Sequence, residues 1–584
     1  MPAPQPVLFL DDATPGRERY CRLSGASRIV AAYQPEELPA AFAALARLRA
    51  EGRYVGGYFS YELGYLLEPT LAQRLPATRD LPLLWFAAFE RLEDGPKEAQ
   101  AGRAYVGPLR HEWDQAAYRN RFDAIRRYIA AGDIYQANLS FRAQFTFLGD
   151  PQGLYRELRA RSGAAYCAYI DDGARQILSL SPELFFEVSP GGEIITRPMK
   201  GTIARGSDAA ADAMARTQLA ASAKDRAENL MIVDLLRNDL GRVAEIGSVK
   251  AEKLFDVETY PTLHAMVSTV KAQLRPGASA EEIICALFPC GSVTGAPKIR
   301  AMEILSELED SKRGAYCGAI GYFAPDGSAR FNVAIRTITI QSGQGSLGIG
   351  GGVVQDSSAE SEYAECLLKA RYFEDARKAI GLIETLRYEP DTGFVRVARH
   401  LGRMENSAKL FSLPFNHEAA LAALKKAVQG AQGVQRVRLV LEEGGIFTAT
   451  SASLPPGVDI WRYVVSCQRM NSADQLLRHK TTWRQFYDDE HASCGAEEVL
   501  FLNECSELTE GSRTNIFIRR KGRLLTPALS CGVLGGVLRQ ELLEGGHCEE
   551  AVLTQADLEH EVYLGNSLRG LIRAESGARR ECAE

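Results

Sequence analysis

Two pairs of carboxylates have the spacing that brings both members to one side of a helix. Asp225 and Glu228 are three residues apart, and Glu362 and Glu365 repeat that spacing, so each pair shares one helix face. Two such faces brought together make an all-oxygen site suited to Mg²⁺, which keeps waters and shares its other positions with a substrate anion. The alternative is that each pair lies on a solvated helix face, which is the usual situation for an isolated pair.

Further segments of the same half contain reactive or anion-binding groups. They are Ser181-Pro-Glu183, Thr196-Arg-Pro-Met-Lys-Gly-Thr202, Gly291-Ser-Val-Thr-Gly-Ala-Pro-Lys298 and Gly350-Gly-Gly352. The glycine run could close a turn or let backbone N–H groups approach an anion. In order and spacing the segments resemble the chorismate-utilising enzymes, which include the anthranilate, aminodeoxychorismate, isochorismate and salicylate synthases. The resemblance covers roughly residues 110–375.

Lys200 separates the members of this family. The anthranilate synthases have an alanine at the matching position, whereas the aminodeoxychorismate synthases have a lysine. The resemblance implies that the lysine amine adds at ring C2 and expels the C4 hydroxyl, and that ammonia then attacks C4 and expels the lysine. Since only a neutral amine can add, we expect burial or a nearby cation to depress the pKa of Lys200. The alternative is that Lys200 only positions a carboxylate or activates water.

The resemblance also implies roles for other residues of the first half. Glu183 matches a general acid that protonates the departing hydroxyl. Glu228 and Glu365 match Mg²⁺ ligands, and Asp225 and Glu362 are candidates to support them. His264 matches a histidine near the reacting C4, although a lone histidine is as often a structural hydrogen-bonding group. The residues expected to bind substrate are Arg336, Tyr316, Thr202, Gly350, Gly351 and Gly352.

The second half has a different set of motifs, again centred on a lysine. They include Arg399-His-Leu-Gly-Arg403, His479-Lys-Thr-Thr482, Leu508-Thr-Glu510 and Gly532-Val-Leu-Gly-Gly-Val-Leu-Arg539. Their order resembles the fold-type IV pyridoxal-phosphate enzymes, among them the branched-chain and D-amino-acid aminotransferases and 4-amino-4-deoxychorismate lyase. The resemblance implies that Lys480 attaches the cofactor and shuttles protons.

Other residues of the second half follow from the same resemblance. Glu510 would pair with the pyridine nitrogen, and Arg403 would bind the phosphate together with the helix that opens after Gly532. Val537, Leu538 and Asn515 are further expected cofactor contacts. Tyr487 is the nearest candidate for the tyrosine of the family, and its role stays open.

The motifs of the second half do not separate an aminotransferase from a lyase, but the fusion does. The first half would make the compound that the lyase consumes. We therefore expect a bifunctional enzyme that converts chorismate to 4-aminobenzoate. The alternative is an anthranilate or isochorismate/salicylate synthase joined to an aminotransferase of the branched-chain or D-amino-acid type. A degenerate half that only binds a partner has no support, because both lysines and the metal glutamates are present.

Two folded units must position these residues. At 584 residues, the chain is about four times the ~150 residues of a typical domain. Short β-rich runs alternate with helical stretches such as 221–240, where Leu230, Ile232, Val233, Leu235 and Leu236 indicate an apolar face. We predict domains 1–376 and 377–584 in a mixed α/β (α+β) chain. The resemblances imply stacked antiparallel sheets with helices in the first domain and a fold-type IV α/β fold in the second.

Composition excludes several partners and compartments. A net charge of −6 shows no basic surplus, so we expect no nucleic acid. The longest apolar run, 83–89, is far shorter than the ~20 residues of a membrane-spanning helix. Twelve cysteines without a CxxC pair indicate reduced thiols and a cytoplasmic protein.

The sequence also indicates where the ammonia comes from and how the chain assembles. No motif resembles a glutamine amidotransferase, so ammonia is expected free or from a separate glutamine amidotransferase subunit. The fold-type IV resemblance further implies a homodimer formed through the second half.

Overall fold

The computed structural model describes residues 5–95, 102–260 and 263–577, which form two compact units. The first unit takes the described residues up to 95 together with Pro108–Phe145 and Pro151–Ala376. The second takes Gly102–Gly107, Thr146–Asp150 and the described residues from Arg377 onward. Two short segments that precede residue 151 thus belong to the second unit. Among the described residues, no helix is both long and apolar enough to cross a membrane.

The elements up to residue 376 are as follows. The strands are β1 (Val7–Asp11), β2 (Cys21–Ser24), β3 (Arg28–Ala32), β4 (Tyr54–Phe59), β5 (Leu84–Phe89), β6 (Arg91–Asp94), β7 (Ala104–Val106), β8 (Arg110–His111), β9 (Gln136–Gly149), β10 (Tyr166–Asp171), β11 (Gln176–Ser181), β12 (Leu184–Val188), β13 (Glu193–Arg197), β14 (Met199–Ala204), β15 (Lys250–Thr259), β16 (Leu263–Gln273), β17 (Gly295–Ala296), β18 (Ala319–Phe323), β19 (Ala329–Val333), β20 (Thr337–Gln341) and β21 (Gln344–Val353). The helices are α1 (Leu38–Ala50), α2 (Gly64–Leu67), α3 (Gln115–Ala131), α4 (Pro151–Ser162), α5 (Ala209–Ala221), α6 (Ala223–Gly241), α7 (Ala280–Leu287), α8 (Lys298–Leu308) and α9 (Ala359–Glu374).

The first unit is built on two large antiparallel sheets. One has the order β17-β9-β21-β20-β11-β10-β1-β2-β6, and the other has the order β14-β16-β13-β12-β19-β18-β4-β5-β3. The apolar run of β5 shows how they pack. Leu84, Phe86 and Ala88 lie in a core with residues of helix α1, whereas Trp85, Ala87 and Phe89 lie in a core with residues of β1 and β10. A strand buried on both faces needs such a run, and the predicted stacking of sheets is confirmed.

The elements that carry the candidate chemistry of the first half are two strands and two helices. Lys200 lies on β14, at one edge of the second sheet, and Gly350–Gly352 lie on β21 in the first. Helix α6 carries Asp225 and Glu228, and α9 carries Glu362 and Glu365. Ser222 caps α6 by accepting a hydrogen bond from the Asp225 backbone N–H at 3.3 Å.

Helix α6 differs in one respect from the amphipathic helix expected at 221–240. Ile232, Val233, Leu236 and Leu240 are buried, but Leu230 is 42% exposed. The buried residues follow the helical period, and Leu230 falls outside their face. The apolar character of Leu230 therefore misled the prediction of that face.

The second unit contains two sheets and four longer helices among its described residues. Its strands are β22 (Leu382–Glu389), β23 (Gly393–Phe394), β24 (Gln435–Leu441), β25 (Phe447–Ser453), β26 (Ile460–Met470), β27 (Glu498–Asn503), β28 (Leu508–Gly511), β29 (Asn515–Arg520), β30 (Arg523–Pro527), β31 (Glu549–Ala551), β32 (Glu561–Asn566) and β33 (Gly570–Ser576). Its helices are α10 (Val397–Phe411), α11 (His417–Ala427), α12 (Gln485–Cys494) and α13 (Val537–Glu544). The sheets have the orders β23-β22-β24-β25 and β28-β27-β26-β33-β32-β29-β30-β31. The second sheet is mixed, because β26 runs parallel to β27 and β33.

Candidate functional site

Lys200 lies among charged groups, some of which raise and some of which lower the pKa of its amine. Burial lowers the pKa of its ammonium group, and the charge of Lys369 lowers it further, whereas Glu183, Glu228 and Glu365 act to raise it. The net direction is downward, which agrees with the expectation for a nucleophilic amine. A Cβ built on Gly352 would lie 3.7 Å from the Lys200 Nζ atom. That Cβ would also lie 2.7 Å from Gln136 Nε2, so the glycine lets the Gln136 amide pack close to this strand beside the amine.

Glu183 is a buried carboxyl group beside this amine. Its side chain is 4% exposed, and its Oε1 atom has no hydrogen-bond partner. Burial raises the pKa of Glu183 to about 7, although a hydrogen bond with Ser292 and the charge of Lys200 act to lower it. A carboxyl group with a pKa near neutrality can hold a proton and release it, as a general acid must.

The carboxylates of α6 and α9 act on each other. Burial raises the pKa of Glu228, and the charge of Glu365 contributes in the same direction. Burial also acts to raise the pKa of Glu365, but an ion pair with Lys369 at 2.8 Å and the charge of Lys200 lower it overall. Glu362 is buried and accepts a hydrogen bond from the Ser357 hydroxyl at 2.7 Å. The two predicted helix faces therefore contribute to one electrostatic site.

Asp225 lies against the strand that carries Lys200. A Cβ on Gly201 would lie 2.8–2.9 Å from the Asp225 side chain, and Gly201 has a φ of +83°. Only glycine combines that backbone conformation with so close an approach. Gly201 therefore lets β14 lie directly against the start of α6.

Part of the predicted metal set has the composition that Mg²⁺ uses. Within the described ranges, no three His, Cys, Asp or Glu side chains form a group able to hold a metal by themselves. Mg²⁺ is commonly bound by only one or two carboxylates, with water and substrate as its other ligands. Glu228 and Glu365, which are coupled through their charges, fit that role.

The three glycines of β21 let neighbouring groups pack closely against this strand. A Cβ on Gly351 would lie 3.6 Å from the Glu362 Oε2 atom, whereas a Cβ on Gly350 would lie 3.0 Å from the Tyr316 Oη atom and only 2.7 Å from the Leu139 carbonyl oxygen. Tyr316 is buried, and burial raises the pKa of its phenol. The phenol therefore stays protonated and can donate to an anion.

Arg336 is a cation without an anionic partner in the described part of the chain. Burial lowers the pKa of its guanidinium, and no carboxylate counteracts that effect. The nearest aromatic ring is that of Tyr372, 6.0 Å from the guanidinium carbon. Arg336 also has a φ of +50°, a strained conformation for a non-glycine residue that is frequent at functional sites. These features suit a group that binds a carboxylate of a ligand.

His264 and Thr202 have no described contact with Lys200 or with the other predicted site residues. His264 is buried, and its ring nitrogens contact the Thr259 hydroxyl at 2.9 Å and the Asp212 carboxylate at 3.0 Å. Thr202 is exposed on β14. The proposed roles of both residues therefore remain predictions.

Two residues near Lys200 were missed by the sequence analysis. Gln136 is 1% exposed, both polar atoms of its amide lack a partner, and its Nε2 atom would lie 2.7 Å from a Cβ on Gly352. Nothing in its local sequence indicates this position. Lys369 was detectable, because it follows Glu365 by four residues and such pairs interact on a helix.

The second unit encloses a cavity of about 710 Å³ around Lys480. Its lining includes the predicted residues Lys480, Glu510, Arg403, Asn515 and Val537, and also Tyr487. Leu538 is buried beside Val537 but does not line the cavity.

Lys480 and Glu510 have shifted pKa values in this cavity. Burial lowers the pKa of Lys480 to about 8, and the charges of Arg403 and Arg484 contribute. Burial raises the pKa of Glu510 to about 7, against hydrogen bonds from Tyr487 and Leu534. The Tyr487 hydroxyl donates to Glu510 Oε1 at 2.8 Å, and the Leu534 N–H donates to Oε2 at 3.1 Å. Tyr487 thus orients Glu510, the carboxylate that we expect to pair with the pyridine nitrogen of the cofactor.

Arg403 is held by a buried acid that the sequence analysis did not name. Its Nε and Nη2 atoms donate to Glu384 at 2.8 and 2.7 Å, and Nη1 donates to the Gly535 carbonyl at 3.0 Å. His400, three residues earlier on α10, contacts the same carboxylate at 2.6 Å. Since a guanidinium has five N–H donors, two of them remain for a phosphate.

The start of α13 supplies backbone donors next to Arg403. Gly536 is the N-cap of α13, and a Cβ there would lie 1.8 Å from Asn515 Oδ1. The Asn515 amide donates to the Leu534 carbonyl at 3.0 Å, so it holds the preceding loop. The first N–H groups of a helix have no intrahelical acceptor and favour a phosphate. Amine, carboxylate, guanidinium and helix start together fit pyridoxal phosphate.

Two family models match different parts of the chain. The chorismate binding enzyme model matches residues 5–375, and the amino-transferase class IV model matches residues 381–576. Class IV aminotransferase domains use pyridoxal phosphate, so the second match implies that cofactor.

Curated relatives of this chain include aminodeoxychorismate synthases. Component 1 of Klebsiella aerogenes is 48% identical over 250 residues, which are 42% of this chain and 55% of that protein. Component 1 of Escherichia coli (strain K12) is 47% identical over 248 residues, which are 42% and 54% of the two chains. The chain thus spans about half the length of these relatives. Anthranilate synthase component I from Streptococcus pneumoniae TIGR4 has 25% identity and a TM-score of 0.51, covering 64% of this chain and 92% of that one.

The pKa of Glu183 predicts a pH-dependent stability that a single substitution removes. Because its folded pKa is about 7 and the unfolded value is lower, the folded state binds the extra proton, and stability falls as the pH rises from about 4.5 to 7. Glu183→Gln should cancel this loss. Relative to wild type, we expect the variant to gain about 3 kcal/mol of unfolding free energy between pH 4.5 and 8, measured by urea denaturation.

The exposed neighbour Glu187 provides a matched control. Glu187→Gln should follow the wild-type profile across the same pH range. Identical pH profiles for wild type and Glu183→Gln would contradict a neutral-range pKa for Glu183.

Proposed function

Because the chain belongs to the family of chorismate binding enzymes, we propose that it makes 4-aminobenzoate from chorismate in two steps. The first unit converts chorismate and ammonia to 4-amino-4-deoxychorismate and water. The second unit eliminates pyruvate from that compound and leaves 4-aminobenzoate. The observation that carries the proposal is Lys200, an amine of lowered pKa beside the protonatable Glu183.

In the first step, Lys200 is the nucleophile and Glu183 is the general acid. The neutral amine of Lys200 adds to ring C2 and forms a C–N bond, while the ring electrons shift and the C4–O bond breaks. Glu183 donates its proton to the departing hydroxyl, which leaves as water. Ammonia then forms a bond to C4, and the electrons return through the ring to release Lys200. The ammonia comes from solution or from a separate glutamine amidotransferase subunit.

Binding of chorismate requires cations, because the substrate has two carboxylates. Arg336 supplies a buried guanidinium without a protein carboxylate, and Tyr316 supplies a protonated phenol. Mg²⁺ would be held by Glu228 and Glu365, with Asp225 and Glu362 beside them, and would neutralise a substrate carboxylate. The overall charge of −6 gives no attraction, so recognition depends on these local groups.

In the second step, the bound cofactor supplies an electron sink for the carbon from which a proton is removed. Lys480, with a pKa of about 8, can take and return protons near neutral pH. Glu510, held by Tyr487, would pair with the pyridine nitrogen, and Arg403 would bind the phosphate. Loss of pyruvate leaves an aromatic ring, which makes the step favourable.

The cavity of the second unit favours a substrate with two carboxylates. In addition to Arg403, its lining includes Arg436, Arg438, Arg484, Arg513 and Arg569. Guanidinium groups bind carboxylates through paired hydrogen bonds. The acids Asp488, Glu497 and Glu510 also line the cavity, and Arg484 pairs with Asp488 at 3.1 Å, but the arginines outnumber the acids. This excess of cations suits a dianionic substrate, as the proposed lyase reaction requires.

We also propose a cytoplasmic homodimer. Ten of the eleven cysteines in the described ranges have free thiols, whereas Cys467 is disulfide-bonded, contrary to the expectation of reduced thiols throughout. The predominance of free thiols suits a reducing compartment. The strand β25 forms a sheet edge, and Ile446, which directly precedes it, is exposed. Such an edge is commonly covered by a partner. Sedimentation of the cofactor-loaded protein should give a dimer, and a monomer at all concentrations would contradict this.

Lys200→Ala tests the first step. Without the amine, no bond to C2 can form, and we expect formation of 4-amino-4-deoxychorismate to fall about a thousandfold or more. The assay contains chorismate, Mg²⁺ and an ammonium salt, and a separate lyase converts the intermediate for detection. Exposed Lys250→Ala should retain wild-type activity. Near-normal turnover by Lys200→Ala would contradict the nucleophilic role.

Lys480→Ala tests the second step independently. The variant should convert chorismate to 4-amino-4-deoxychorismate and stop there, because the group that attaches the cofactor and moves the proton is lost. The absorbance band of lysine-bound cofactor should also disappear. Exposed Lys521→Ala should change neither. Normal output of 4-aminobenzoate by Lys480→Ala would rule out the assigned role.

A further inference from the structure

A short β-ribbon of the second unit comes from residues far upstream in the sequence. Strand β7 pairs antiparallel with the end of β9, which places Ala104 opposite Gly149 and Tyr105 opposite Leu148. Both segments, Gly102–Gly107 and Thr146–Asp150, belong to the second unit. The class IV aminotransferase match starts only at residue 381. Part of this unit therefore lies outside the sequence region that identifies its family.

Tyr105 anchors the ribbon in the core of the second unit. Its side chain is fully buried in a cluster that includes Leu401, Met404 and Leu476. Its ring packs edge-on against Phe411, with centroids 4.9 Å apart, and its hydroxyl donates to the Phe411 carbonyl at 3.0 Å. Burial of an aromatic side chain with its hydroxyl satisfied stabilises the contact. The ribbon is therefore part of the fold of this unit.

Arg103, two residues before Tyr105, contacts the chain on both sides of Lys480. Its Nη1 atom donates to the Trp483 carbonyl at 3.0 Å, and its Nη2 atom donates to Asp474 Oδ2 at 3.2 Å. Asp474 also accepts from the Leu476 N–H at 2.9 Å, at the start of the 3-10 turn Gln475–Arg478 that leads to Lys480. The guanidinium thus joins the residues six before and three after Lys480.

Strand β22 already holds the other side of this loop. The Ile383 N–H donates to the Lys480 carbonyl at 2.8 Å, and the Thr482 N–H donates to the Gly381 carbonyl at 2.8 Å. These bonds fix the backbone at residues 480 and 482. They leave the stretch from 474 to 478 and the carbonyl of Trp483 to be fixed by other groups. Arg103 supplies that contact, and it also lines the cavity around Lys480.

We propose that Arg103 is a positioning residue of the second site, which fixes the 474–483 loop and thereby the amine of Lys480. A residue from the part of the sequence that matches the chorismate binding enzymes would then be required for cofactor binding in the second unit. The cofactor part of this inference rests on the proposed second step, whereas the loop contact does not.

The first test is amide hydrogen exchange on the full-length protein without cofactor. In Arg103→Met, the peptide 474–484 should exchange at least about tenfold faster, because the charged hydrogen bonds that limit its opening are gone. Exchange in β32 should stay as in wild type. Arg110→Met, an exposed arginine seven residues away, is the matched control. Unchanged exchange at 474–484 in Arg103→Met would overturn the proposal, whatever the cofactor does.

The second test measures the affinity for pyridoxal phosphate by absorbance titration. Arg103→Met should weaken binding about tenfold, and millimolar guanidinium added to Arg103→Ala should restore most of the loss. The first step, measured with chorismate and ammonium, should remain within twofold of wild type. Wild-type affinity in Arg103→Met, or no rescue by guanidinium, would refute a positioning role. Failure of the wild-type protein itself to bind the cofactor would instead refute the proposed second step.

Discussion

Each unit of this chain takes a lysine amine out of water, which the proposed reactions require because an ammonium group can neither add to a substrate nor accept a proton. A free lysine has a pKa of about 10.4 and is almost fully protonated at neutral pH. Burial lowers the pKa of both Lys200 and Lys480. The same loss of water raises the pKa of the neighbouring acids, Glu183 and Glu510, each to about 7. One physical constraint therefore produces an amine and an acid that can both exchange protons near neutral pH.

A desolvated amine needs neighbours that come from distant parts of the chain. In the first unit, Gly352 of β21 lets the Gln136 amide pack close beside Lys200, and the charge of Lys200 is balanced by acids of α6 and α9. In the second unit, Arg403 of α10 lowers the pKa of Lys480, while Glu384 of β22 holds that arginine. The large sheets are needed because they bring these separate elements to one place.

Candidate site residues could be predicted from the sequence where they belong to motifs that follow one another in a fixed order. Glu183, Lys200, Glu228 and Glu365 could be named from motif order, and the structure joins them through their charges. Spacing on a helix also made Lys369 detectable. Gln136, Glu384 and Arg103 were not found, because the groups that lie beside each of them belong to other elements of the chain. Leu230 is a wrong prediction of the other kind: we assigned it to the buried face of helix α6, and its side chain is exposed.

In the proposed function, Lys200 acts on chorismate and Lys480 acts on the product of that first step. The most direct measurement follows the wild-type protein with chorismate, Mg²⁺, pyridoxal phosphate and ¹⁵N-ammonium, and analyses the products by mass spectrometry. We expect 4-aminobenzoate that contains one ¹⁵N atom, and an equal molar amount of pyruvate. Anthranilate as the only aromatic product, or 4-aminobenzoate without the label, would contradict it.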